Sequence, residues 1–221
     1  MVLSIWFKIM TEQEAYWKER REVALFMRRL YRQGLTTTSG GNISLRISQE
    51  IILITPSATD KGRMRWNEVG IMTMNGENLT PELKPSIESE MHLSIYRAKN
   101  NISAIVHAHP LFASAFTAMK SSINTSLTSE ARAICGEPTL VPYALMGTAQ
   151  LAKLASDCIL VSDILLLENH GVLAAGATLL QAFDRLEVLE NAAKMTLITE
   201  ITGKGKPLGK DRIREIDRFF R

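Results

Sequence analysis

Three histidines lie inside or beside apolar runs of this chain, and any fold that buries those runs must give each imidazole a partner. The first run is Ala104-Ile105-Val106-His107-Ala108-His109-Pro110, where β-branched residues lead into a histidine pair and a proline closes it. It reads as a buried strand. Residues two apart on a strand share a face, with Cα atoms roughly 7 Å apart at about 3.4 Å rise per residue. His107 and His109 can therefore converge on one ion. The second run, Ile164 to Leu173, is interrupted by Glu168-Asn169-His170-Gly171, which makes His170 the candidate third imidazole. Three histidines with one open position describe a catalytic site of the zinc type. Taken singly, a histidine in an apolar segment is more often a hydrogen-bonded core residue. Two of the chain's four histidines on one face of one strand shift that balance. The fourth, His92, follows Glu88 by four residues on an expected helix and is read as structural or solvent-facing.

The chain has 221 residues, enough for one sizeable core and short for two, so a single α/β domain is expected. Hydrophobic residues make up 46% and charged residues 22%, which excludes a disordered polyelectrolyte. The net charge of +3 would invite a nucleic-acid partner, but the excess is local. From Lys204 onward there are seven basic and three acidic residues out of totals of 26 and 23, and the remainder is close to neutral. Neither a nucleic-acid nor a membrane partner is expected. The amino terminus, Met1 to Phe7, is apolar but very short and lacks a basic leader. Residues 1–10 are read as an extension, because Met10-Thr11-Glu12-Gln13-Glu14 resembles a chain start with a helix cap. Cys135 and Cys158 show neither metal nor framework spacing and are expected as reduced thiols of a cytoplasmic protein.

Periodicity sets out the elements. Ala24, Leu25, Met27 and Leu30 mark an amphipathic helix from residue 11 to about 33, ended by Gly34. Strands are expected over Asn42 to Leu45, Ile51 to Thr55 and Val69 to Met74, the last turning at Asn75-Gly76. Pro85 opens a helix to about Lys99, and Leu111 to Met119 forms another. Thr139 to Val141 is extended, a helix starts near Thr148, and strands over Ile159 to Leu167 and Gly171 to Ala175 flank His170. Thr178 then caps a long helix to about Thr202. Gly203, Gly205, Pro207 and Gly209 break it, setting off a main domain of 11–203 from a basic, partly helical tail of 204–221.

Small residues in Ser39-Gly40-Gly41-Asn42 leave backbone N–H groups exposed, and Asn42 adds a side-chain donor. Such a loop can cradle phosphate, although a tight turn uses the same residues. Ser57 and Ser86 add hydroxyls from two further loops, and Ser86 and Glu88 lie near a helix amino terminus, where anions are favoured. Glu88 reads either as a cap or as a proton acceptor beside the ion. A metal that polarises a carbonyl needs a nearby base, which favours the second reading and makes enolate chemistry the expected reaction type.

Taken together, Ser39-Gly40-Gly41-Asn42-Ile43-Ser44, Ile54-Thr55-Pro56-Ser57, Pro85-Ser86-Ile87-Glu88, His107-Ala108-His109, Val141-Pro142-Tyr143 with Gly147-Thr148, and Asn169-His170-Gly171-Val172 resemble the class II aldolase/adducin-head family. The resemblance runs from about residue 15 to about residue 202. It implies a three-layer α/β/α fold around a central, largely antiparallel sheet, in a homotetramer with interfacial active sites. It also implies that His107, His109 and His170 bind Zn2+ or another divalent metal, with Glu88 as fourth ligand before substrate arrives and as the acid/base. Gly41, Asn42, Ser57, Ala58, Ser86 and Ile87 occupy the phosphate-binding positions. The implied reaction cleaves a ketose 1-phosphate, such as L-fuculose 1-phosphate, to dihydroxyacetone phosphate and an aldehyde.

Three departures qualify the resemblance. Ile87 stands where the close pattern has a second serine. Thr128-Ser129-Glu130 stands where a tyrosine from the neighbouring subunit is expected, so that Glu130 is either a catalytic acid or a surface residue. Asp211 to Arg221 does not match the aldolase tail with its own tyrosine. The competing readings are a pentulose-phosphate 4-epimerase of the L-ribulose 5-phosphate type, a sugar-phosphate dehydratase, and a non-catalytic adducin-like scaffold. The last is disfavoured because all three histidines are present.

Overall fold

The computed structural model describes residues 15–220. The expected extension over 1–10 and the cap near Thr11 lie outside the described residues. Described helix begins at Trp17 rather than 11, since Tyr16 adopts a left-handed backbone with φ 58° that ends helical geometry there. This helix, α1 (Trp17–Arg32), buries Val23, Ala24, Phe26, Met27 and Leu30. Leu25, expected on the buried stripe, is exposed on the other side.

Seven strands make one sheet in the order β3-β2-β1-β4-β7-β6-β5. They are β1 (Asn42–Arg46), β2 (Ile51–Ile54), β3 (Gly70–Thr73), β4 (Ala104–Ala108), β5 (Thr139–Val141), β6 (Ile164–Leu167) and β7 (Gly171–Gly176). The expectation of a largely antiparallel sheet is corrected to a mixed one. β5 runs parallel to β6, while the other neighbours pair antiparallel. The cause is the connection, because α5 (Ala149–Cys158) lies between β5 and β6 and carries the chain back to start a parallel neighbour. The strand expected from Ile159 starts only at Ile164, because the α5 carboxy-terminal turn uses Ile159 as its cap.

The remaining helices are α2 (Ser89–Ala98), α3 (Leu111–Thr117), α4 (Ser129–Cys135), α6 (Leu179–Thr202) and α7 (Lys210–Phe220). The α2 helix starts later than Pro85 suggests, with Glu88 at its N-cap. Thr148 and Thr178 do cap α5 and α6 through their side chains. Gly203 closes α6 in the left-handed conformation, and the tail beyond it is the helix α7.

Strand side chains alternate between two cores. Ile43, Leu53, Val106, Leu166 and Val172 pack with α1, α3, α4 and α6, whereas Ile52, Ile105, Leu165 and Leu173 pack with α2 and α5. Helices thus cover both faces of the sheet, and its central strands β1, β4 and β7 are held from either side. One buried carboxylate ties this packing to the histidines. Glu190 on α6 accepts the N–H groups of Phe112 and Ala113 at 3.2 and 2.8 Å, satisfying the first turn of α3 directly after His109-Pro110. No described helix is long and apolar enough to cross a membrane.

Candidate metal centre and substrate cavity

Each histidine owes its place to the sheet. His107 lies on β4, opposite Asn42 of β1 and Leu173 of β7, and is wholly buried. Its Nδ1 is 2.9 Å from the Val172 carbonyl. A carbonyl only accepts, so Nδ1 carries the proton and Nε2 presents its lone pair. That Nε2 is buried and has no hydrogen-bond partner, which is the condition of a ligand atom.

His109 follows the strand end, with its N–H donated to the Leu35 carbonyl at 3.1 Å. Its ring slots between two glycines. A Cβ on Gly40 would stand 3.0 Å from His109 Nδ1, and one on Gly171 would stand 2.6 Å from its Cδ2. His170 sits in the turn between β6 and β7, set by the left-handed Asn169 at φ 54°. The ligand atoms of His107, His109 and His170 lie within 4.8 Å of one another, close enough to share one ion. The fit therefore holds on donor chemistry and on the orphaned Nε2.

Glu88 reaches this cluster from the start of α2. Its Oε2 accepts the Asn42 amide at 2.7 Å and stands 3.3 Å from His107 Nε2, while Oε1 stands 3.4 Å from His170 Nε2. Burial raises the Glu88 carboxyl, but His107, the Asn42 amide, His170 and His92 together outweigh it and leave the group below its usual range. Burial also pushes His109 down to about 3, reinforced by His107 and His170. It lowers His170 as well, aided by His107. These shifts leave His109 and His170 neutral and Glu88 ionised near neutral pH, the protonation states a divalent ion requires.

A cavity of about 380 Å³ opens onto these groups. Gly41, Asn42, Ser57, Ala58, Ser86, Ile87, Glu88, His109 and His170 all line it. His107 lies buried behind them. The loops are bonded to each other, since Ser57 Oγ accepts the Ile87 N–H at 3.3 Å, and within the second loop Ser86 Oγ accepts that of Glu88 at 3.2 Å. Ala58 holds a left-handed φ of 54°, a strained backbone of the kind found at ligand clamps. One hydrogen of the Asn42 amide is already directed to Glu88, so its side chain serves the carboxylate as well as the cavity. Glu130 is elsewhere in the chain, exposed in the first turn of α4 and absent from the cavity lining.

Sequence reasoning missed Lys61 and Met146, which also line the cavity. Lys61 follows a polar turn that reads as solvated loop, and only tertiary burial distinguishes it. His92 proves structural rather than solvent-facing. It is fully buried, with Nδ1 2.7 Å from Ser44 Oγ, which is itself 2.8 Å from the Tyr96 hydroxyl.

Two expected outcomes arise here. Gly41 has φ +66°, and an added Cβ would stand 2.7 Å from the His107 carbonyl. Gly41→Ala is expected to destabilise the protein by about 1–3 kcal/mol and to weaken metal binding, read by thermal melting and metal titration. Unchanged values for both would show that the loop yields freely. The second concerns acid. Burial pushes the His92 imidazole down to about 3, with His107 adding to the effect, so the native state keeps it neutral. In the unfolded chain it takes a proton near about pH 6.5. Its contribution to stability is therefore full above about pH 6.5 and is lost as pH falls towards 3, reaching about 2 kcal/mol by pH 5. Urea unfolding of the metal-free protein at pH 7 and pH 5 should show this loss reduced by that amount in His92→Phe. An unaltered slope would assign the acid sensitivity to other groups.

With this geometry in place, comparison with known proteins adds identity. Residues 21–197 match the family described as Class II Aldolase and Adducin N-terminal domain. An L-fuculose phosphate aldolase of Methanococcus maripaludis is 34% identical over 171 residues, covering 77% of this chain and 92% of that protein. A 5-deoxy-D-ribulose 1-phosphate aldolase of Bacillus thuringiensis is 31% identical, covering 92% and 95%. A 3-oxo-tetronate 4-phosphate decarboxylase of Haemophilus influenzae is 32% identical, covering 76% and 81%. Among solved structures, an L-fuculose 1-phosphate aldolase superposes with a TM-score of 0.84 at 28% identity, covering 91% of this chain and 95% of that one.

Proposed function

Because this chain belongs to the class II aldolase and adducin N-terminal domain family, we propose that it is a zinc-dependent carbon-carbon lyase that cleaves a ketose 1-phosphate, such as L-fuculose 1-phosphate, to dihydroxyacetone phosphate and an aldehyde. The observation that carries this reading is the meeting of three imidazoles and an ionised, buried Glu88 beside a cavity that Gly41, Ser57 and Ser86 also line. His107, His109 and His170 would hold the ion, which supplies Lewis acidity to the substrate's carbonyl and adjacent hydroxyl oxygens. Gly41, Asn42, Ser57, Ala58, Ser86 and Ile87 would bind the phosphate end, with Ile87 contributing backbone only. This places the reacting carbons between phosphate loop and histidines. As the next carbon-carbon bond breaks, the hydroxyl of the departing carbon would give its proton to the ionised Glu88 and become the aldehyde, and Glu88 would return that proton to the enediolate carbon, completing dihydroxyacetone phosphate. Asn42 holds Glu88 in place through its amide, and the residue is only 5% exposed.

The same reading takes residues 11–203 as the catalytic domain and 204–221 as an appended tail. It places the protein in the cytoplasm as a homotetramer whose neighbours complete each site. Glu130, exposed on α4 and outside this cavity, would on this reading act as an acid only in a neighbouring subunit's site. A decarboxylase reading draws on the relative of that name, because loss of carbon dioxide from a 3-oxo acid also leaves an enediolate.

The test is incubation of metal-loaded protein with L-fuculose 1-phosphate, 5-deoxy-D-ribulose 1-phosphate, L-ribulose 5-phosphate and 3-oxo-tetronate 4-phosphate, followed by NMR. Dihydroxyacetone phosphate released from a ketose 1-phosphate, and abolished by EDTA, supports the aldolase. Carbon dioxide from the last substrate alone moves the protein to the decarboxylases, and a new pentulose phosphate alone moves it to the epimerases.

A further inference from the structure

Lys61 is out of keeping with its position. It follows the exposed turn at Asp60, yet it is only 1% exposed. Its N–H donates to the Thr38 carbonyl at 2.9 Å, and its ammonium donates to the Pro56 carbonyl at 2.6 Å. The residue therefore joins the loop before Gly40-Gly41 through its backbone to the loop before Ser57-Ala58 through its side chain, and it lines the cavity they share. An ammonium has three N–H donors, and the Pro56 carbonyl uses one. Among the described residues no carboxylate stands within ion-pair distance of it, although Asp60 precedes it and pairs instead with Arg63. A buried cation without an anion is costly, and burial accordingly pushes this ammonium down to about 8. The Ser57 and Ser86 hydroxyls line the same cavity, and its one carboxylate, Glu88, has its oxygens directed to Asn42 and the histidines.

We propose that Lys61 is the cationic anchor of the cavity, pairing with the dianionic phosphate monoester of the substrate and setting the enzyme's preference for phosphorylated over free sugars. The proposal rests on the lyase reading for the identity of the substrate, while anion binding itself is independent of turnover. Lys61 also offsets the missing hydroxyl at Ile87, since one ammonium donates more strongly to phosphate than a neutral hydroxyl does.

The experiment is calorimetric titration of inorganic phosphate into the metal-loaded full chain, into Lys61→Gln and Lys61→Met, and into His107→Ala. Gln retains a donor for Pro56 without the charge. Both neutral variants are expected to lose about 10- to 100-fold in phosphate affinity, while His107→Ala, lacking the metal but not the loop, binds phosphate within a few-fold of wild type. Unchanged affinity in the neutral variants, with lowered melting temperature alone, overturns the proposal and makes Lys61 a structural tie, leaving the lyase reading intact. Absence of phosphate binding by the wild type overturns both. Phosphate binding that depends on Lys61 in a protein that cleaves none of the sugars tested supports the anchor and removes only the lyase. If both neutral variants fail to fold, wild-type titration near pH 8.5 in buffers of different ionisation heat decides the matter. Pairing with phosphate raises the ammonium's affinity for its proton from about 8, so uptake of roughly three quarters of a proton is expected, and zero uptake overturns the proposal.

Discussion

His107→Ala is expected to abolish divalent-metal binding and lyase turnover together. The residue is fully buried on β4, and the Val172 carbonyl fixes its tautomer so that Nε2 faces the other two imidazoles. Alanine leaves two histidines, and nothing else on β4 replaces the lost donor. Loss of an outer-shell partner alone typically costs about 10- to 100-fold in metal affinity, so loss of the ligand itself should exceed that range. Metal content after dialysis, measured beside circular dichroism, separates this effect from unfolding. A folded variant that retains one equivalent of metal would take His107 out of the ligand set.

Glu88→Gln should divide the two functions that His107→Ala removes at once. The amide keeps the size of the side chain and can still meet Asn42, so the three histidines stay assembled and the metal is retained. What is lost is the ionised oxygen that accepts and returns a proton. General acid-base catalysis contributes about 10²- to 10⁴-fold, and turnover should fall by that factor with metal stoichiometry unchanged. Retained turnover would exclude Glu88 from proton transfer. Loss of metal and turnover together would make it chiefly a ligand.

These expectations rest on features unequally visible in the sequence. The pair His107 and His109 was legible because strand periodicity is 2 and the run is apolar, so their shared side follows from local geometry. The position of His170 followed from its interruption of a second buried run. Caps such as Thr148 and Thr178 were legible because the capping hydroxyl and the helix it starts are adjacent in sequence. Contacts between distant segments were not. Asn42 turns an amide towards Glu88 across 46 residues, and Lys61 is buried by two loops that reveal nothing of their proximity in composition. The parallel β5–β6 pairing escaped because three residues, Thr139–Val141, carry too little pattern to orient a strand. The helix Ser129–Cys135 escaped because Glu130 and Arg132 alternate with Ala131 and Ala133, a period of 2 rather than 3.6. The start of α1 failed for a different reason, a left-handed Tyr16 that no propensity scale anticipates.

The measurement that bears most directly on the central claim needs no knowledge of the aldehyde. Dihydroxyacetone phosphate is incubated with the metal-loaded protein in D2O and its hydroxymethyl protons are followed by NMR. If Glu88 moves a proton to and from an enediolate beside three histidines that hold a metal, one hydrogen on the carbon next to the carbonyl exchanges for deuterium, and exchange stops with EDTA or in Glu88→Gln. No exchange by wild-type protein carrying a full equivalent of metal, or exchange that persists in Glu88→Gln, would contradict the account.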